Sequence, residues 1–91
     1  MKTYLITYQQ SLQEVAYTAL VEYIKTAPQW ARPCHAIWLI KTDVDVAKIR
    51  DGIKDRIAPG DRVLVIEIPN SNWATFNVPT EVTDWMKGNI Q

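Results

Sequence analysis

The chain has 91 residues, room for one domain and too few for two. Ten basic residues balance ten acidic ones, which argues against holding nucleic acid by bulk charge while leaving a local basic patch open. With 47% hydrophobic residues it can build a core, but a domain this short buries only about 60–65% of its unfolded surface, so pairing with a second copy is an early expectation.

Residues 2 to 9 carry β-branched and aromatic side chains and predict a first strand. In an extended chain Tyr4, Ile6 and Tyr8 share one face and Thr3, Leu5 and Thr7 the other; either could face helices. Ser11 then opens a helix. SLQE is Ser-x-x-Glu, a capping box between Ser11 and Glu14. Leu12, Ala16, Ala19, Leu20, Tyr23, Ile24 and Ala27 follow at three- and four-residue spacing, and Pro28 ends the run.

Gln29 to Arg32 reads as a short extended piece, with Pro33 interrupting any ladder. Ala36 to Lys41, AIWLIK, is a near-continuous apolar run and predicts a central strand buried on both faces. Thr42 and Asp43 are helix-capping types. The next helix turns Val46, Ile49, Ile53 and Ile57 inward, and Gly52 weakens it by about 1 kcal/mol relative to alanine. APGD, residues 58 to 61, is a turn, and RVLVIEI, residues 62 to 68, is the clearest strand in the chain. Residues 69 to 79 read as a loop with a short strand around Trp73 to Phe76. Thr80 is a cap type before a final helix with Val82, Trp85, Met86 and Ile90 on one side.

This order predicts an α+β fold. Two split β-α-β units give a ferredoxin-like βαββαβ arrangement over residues 1 to 68, a four-stranded antiparallel sheet with two helices on one face. Residues 69 to 91 form a C-terminal strand or helix extension. Its side chains Trp73, Phe76, Val78 and Trp85 are too apolar for water and are expected at a dimer interface. The lone cysteine, Cys34, permits no intramolecular disulfide and suits a reducing cytoplasm. The first ten residues carry too short an apolar run for a signal peptide, and no stretch approaches the roughly 20 residues needed to span a bilayer. A cytoplasmic homodimer with no membrane partner is the expectation.

Several residues invite chemistry. Cys34 and His35 are a nucleophile and base by type, but neighbours on a strand point to opposite faces. A zinc site would need further ligands. Tyr8, His35 and Glu67 are the weak catalytic candidates. Glu67, inside the last strand, either faces inward on a partner or faces solvent at a sheet edge. Tyr4, Tyr8, Trp30, Trp38, Trp73 and Trp85 are of the type that stacks on bases, yet the basic-Gly-aromatic signature of RNA-recognition strands is missing, and Trp38 reads better as core or interface.

MKTYLITY at the start, then Trp30, Trp38, Lys41 and Thr42 in a W-x7-W-x-x-KT spacing, then IRDGIKDRI and DRVLVIEI resemble a family of small bacterial proteins often labelled SinR-like. These are similar to the second CRISPR-associated protein, the small subunit of the spacer-integration complex, and more distantly to VapD-type ribonucleases. The resemblance covers about residues 1 to 70 and implies a ferredoxin-like homodimer. In the CRISPR relatives the first strand typically ends in an aspartate whose symmetry-related pair is proposed to bind a divalent metal. The aligned position is Gln9, or Tyr8 with a shifted register. An amide oxygen brings no negative charge and is no general base near neutral pH, so the metal site is not carried over. The resemblance and the missing acid together point to a non-catalytic assembly module without cofactor or metal, with RNA or DNA as a weaker partner expectation. The alternative is a VapD-like or toxin-type endoribonuclease.

Overall fold

The computed structural model describes residues 1–11 and 17–90. Its elements run β1 (Lys2–Gln9), α1 (Thr18–Ile24), β2 (Gln29–Cys34), β3 (Ile37–Thr42), α2 (Val46–Lys54), β4 (Arg62–Ile68) and α3 (Thr80–Asn89). The strands form one four-stranded antiparallel sheet in the order β2-β3-β1-β4, an α+β architecture. Because β3 is antiparallel to both its neighbours, β1 and β2 run parallel with β3 between them. By the same logic β3 and β4 run parallel around β1.

Alternation along the central strands sets up two cores. Tyr4, Ile6 and Tyr8 of β1 and Trp38 and Ile40 of β3 pack against Leu20 and Ile24 of α1 and Ile49 and Ile53 of α2. The opposite face presents Ala31, Leu39, Leu5 and Ile68, and these meet Val82, Met86 and Ile90 of α3. The sheet is therefore sandwiched, with α1 and α2 on one side and α3 with its preceding loop on the other. AIWLIK is buried on both faces, as its apolarity predicts, with Trp38 at 0% exposure.

Several boundaries differ from expectation. Glu14 of the capping box lies outside the described residues, as do Leu12 and Ala16, while Ser11 is among them. Described α1 is seven residues long and has no side-chain cap. It closes at Ile24 because Thr26 and Ala27 turn back onto the Tyr23 and Ile24 carbonyls, three residues behind. β2 continues through Pro33 to Cys34; the pairing register shifts between Ala31 and Cys34, so no ladder bond is asked of Pro33.

The cap of α2 is Asp45, whose carboxylate accepts from the Lys48 amide at 2.9 Å. Thr42 instead accepts from the Val44 amide, and Asp43 faces the N-terminal amine at 3.4 Å. At α3 the N-cap is Pro79, not Thr80; the Pro79 carbonyl accepts from Val82 and Thr83. No strand forms between Trp73 and Phe76. There the Trp73 indole donates to the Ile90 carbonyl at 2.8 Å and Asn77 takes a φ of 58°, both of which curl the segment back over its own sheet. Lys41 donates to the Asn89 side chain at 3.0 Å and Asn89 in turn donates to the Trp85 carbonyl, which ties the end of α3 to β3.

Candidate functional site

The end of β1 is the place to look first, because the sequence sets two amides, Gln9 and Gln10, where the strand leaves the sheet. Gln9 is exposed and pairs with Arg62 at the start of β4. β3 begins at Ile37 opposite Thr7, so the β2–β3 turn with Cys34 and His35 lies at this same end of the sheet. Both residues are exposed. The fixed feature of the turn is main chain, since the Arg32 guanidinium donates twice to the His35 carbonyl, at 2.9 and 2.6 Å.

The carboxylate that organises this end is Asp61. One oxygen accepts from the Ser11 amide (2.7 Å) and hydroxyl (2.6 Å), and the other from the Tyr17 hydroxyl (2.5 Å) and the Ala58 amide (2.9 Å). Desolvation pushes this carboxyl up, but the Ser11 and Tyr17 hydroxyls and the Ser11 and Ala58 amides outweigh it and hold the group well below the ordinary carboxylate range. Gly60 allows the approach: a Cβ there would stand 3.1 Å from the Ser11 hydroxyl. Sequence reasoning reads Asp61 only as the last residue of the APGD turn. Its partners lie up to 50 residues away, and no local signal announces them.

The catalytic candidates do not converge. Tyr8 is buried in the core beneath the helices. His35 is at the same end of the sheet but on an exposed turn. Glu67 is at the other end, opposite Tyr4, half-exposed and 3.4 Å from the Lys2 amine. Among the described residues no group of three or more His, Cys, Asp and Glu is placed to hold a metal ion. Tyr4 and Trp38 join Tyr8 in the core, so these aromatics offer no stacking platform on the sheet.

Of the tail residues, Trp73, Val78 and Trp85 pack against the α3-side core and Phe76 is 88% exposed. The α3 side of the sheet is only partly covered. Register aligns Leu39, Leu5 and Ile66 in one row and Ile37, Thr7 and Leu64 in the next. Leu64 and Ile66, on the β4 edge, remain 52% and 46% exposed. A cleft of about 480 Å³ opens beside them, between the sheet and the 71–78 loop, with Leu5, Ile37, Ile68, Trp73 and Phe76 among its walls. Among the described residues no helix is long and apolar enough to cross a membrane. No known protein family, no curated protein and no solved structure matches this chain.

Proposed function

We propose that the chain is a ferredoxin-like homodimeric assembly module that is not itself a catalyst. The architecture part of the reading is supported by the two β-α-β units, each split by a strand of the other, with α1 and α2 on the same face. The non-catalytic part is supported by the amides Gln9 and Gln10 at the β1 junction, and by an Asp61 carboxylate whose oxygens are both committed to internal donors.

The observation that carries the reading is the uncovered apolar strip. Leu64 and Ile66 stand exposed on β4, in the same rows as Thr7 and Leu5, and Phe76 stands exposed on the wall of the cleft that Leu5, Ile37 and Ile68 also line. β4 is also a sheet edge of seven residues without proline, a template that proteins usually blunt or cover. A second copy of the chain is the occupant proposed, since one two-fold axis would cover both strips at once.

Light scattering tests this. Wild-type protein is expected at twice 10.5 kDa, and Leu64→Glu and Ile66→Lys at 10.5 kDa with unchanged circular dichroism. A wild-type monomer across accessible concentrations would sink the dimer. RNA or duplex DNA incubated with clean protein and magnesium is expected to stay intact, with and without chelator; cleavage abolished by His35→Ala would instead support the endoribonuclease reading.

A further inference from the structure

β4 ends the sheet on the side away from β2, and among the described residues no strand pairs with its outer edge. Half of its backbone donors and acceptors therefore point outward along Arg62–Ile68, a run without proline until Pro69. The two faces of the strand differ. Val63 and Val65 pack on the core beneath α1 and α2. Leu64 and Ile66 lie on the α3 side, 52% and 46% exposed, in the rows of Thr7 and Leu5. α3 and the 71–78 loop stand on that same side and would hold a second sheet off the face. The edge carries no such obstacle among the described residues.

We propose that β4 pairs antiparallel with β4 of a second copy, joining two four-stranded sheets into one continuous sheet with Val65 on the two-fold axis. The inference rests on the homodimer reading and fixes the surface and the register that reading leaves open. A two-fold axis normal to the sheet reverses the strand and keeps the α3 sides of both copies together. With the axis at Val65, all of Arg62–Ile68 pairs. Leu64 then meets the partner's Ile66 in both directions, which gathers the exposed apolar side chains into adjoining cross-strand pairs. Val63 meets the partner's Glu67 and Arg62 the partner's Ile68, so no charge faces its like. The neighbouring registers are worse. An axis at Leu64 sets Asp61 against the partner's Glu67, and like charges directly opposite destabilise a ladder. An axis at Ile66 sets Val63 against the partner's Pro69, which has no amide hydrogen, and leaves Arg62 beyond the ladder. The formal net charge of zero adds no long-range repulsion between copies. An unrelated extended peptide would find the same backbone groups without the reciprocal Leu64–Ile66 match.

Cysteine cross-linking in a Cys34→Ser background reads the register. Val65→Cys is expected to give a covalent species at twice 10.5 kDa under mild oxidation. Opposed residues of an antiparallel pair have Cα atoms about 4.5–5.5 Å apart, within reach of a disulfide. Leu64→Cys mixed with Ile66→Cys should give that species too, and neither alone should, because each faces the other residue rather than its own copy. If the cysteines loosen the pair, isotope-filtered nuclear magnetic resonance on mixed labelled and unlabelled wild type reads the same register, as contacts between Leu64 and the partner's Ile66. Self-linking of Leu64→Cys would move the axis to Leu64, and self-linking of Ile66→Cys would move it to Ile66. Either overturns the proposal, as does a dimer by light scattering that shows none of these links or contacts. All three leave the homodimer reading standing, whereas a wild-type monomer removes both.

Discussion

Gly52 shows how one atom sets a helix contact. In a helix interior glycine is ordinarily a weakness, and alanine should gain about 0.5–1 kcal/mol. Here a Cβ would stand 2.1 Å from the Tyr23 hydroxyl, so the Tyr23 ring of α1 occupies the space that a side chain would need. That ring also carries the Arg56 guanidinium 4.4 Å above it, and Arg56 closes back on the Gly52 carbonyl at 2.7 Å. Gly52→Ala must displace Tyr23 and is expected to cost about 1–2 kcal/mol despite its better helix propensity. Thermal melts give the sign, and a higher Tm would refute the packing account. Sequence alone registers the propensity cost of Gly52 and misses its reason, because Tyr23 is a tertiary neighbour.

At the scale of elements, Asp61 ties the end of β1 and the start of the described α1 to the start of β4. The described α1 has no side-chain cap, and Tyr17, just before it, is tied to Asp61 at the start of β4. Ser11, just after β1, shares the same carboxylate. The group's pKa is lower folded than unfolded, so the unfolded state binds more protons on the acid side. Its contribution is present above the ordinary carboxylate value and is lost progressively as pH falls below about 4. Asp61→Asn is expected to lower stability at neutral pH and to flatten the acid limb of a stability-against-pH curve from denaturant melts. An acid limb as steep as that of wild type would remove Asp61 from its cause.

Periodicity made the strands legible: Tyr4, Ile6 and Tyr8 do share the helix-side face, and AIWLIK is central. It could not rank RVLVIEI, where Val63 and Val65 face the helices while Leu64 and Ile66, equally apolar, face outward on an edge. Apolar residues on both faces signal a covered strand without saying what covers it. The caps were misread by a few residues because Thr42, Asp43 and Asp45 are chemically alike, and only backbone geometry chooses among them. Of the candidate site, Gln9 at the end of β1 was legible in place, whereas Asp61, the carboxylate that orders that end, was not, because its partners Ser11 and Tyr17 are distant in sequence.

Across the whole molecule, the two cores share one sheet, and a chain of this size has little stability in reserve. Removing residues 70 to 91 would strip Val82, Met86 and Ile90 from the second core, so truncation would read as unfolding rather than as loss of a partner contact. Point changes on Leu64 and Ile66 are the cleaner probe. The proposed dimer predicts a Tm that rises with protein concentration, and Leu64→Glu should abolish that rise, as scanning calorimetry at several concentrations would reveal.

Among the described residues Trp38 Nε1 is buried without a hydrogen-bond partner, in a ring with no exposed surface. The Trp73 indole, by contrast, is bonded to the Ile90 carbonyl at a partly exposed site. In deuterated water the Trp38 indole proton has no local route out; it exchanges only when the sheet and α1–α2 layer come apart together. Its nuclear magnetic resonance signal should therefore be the last of the indole signals to fade, and its decay rate under native conditions would time the opening of the entire domain. Should it vanish as fast as that of Trp30, the helix-side core breathes far more readily than its packing implies.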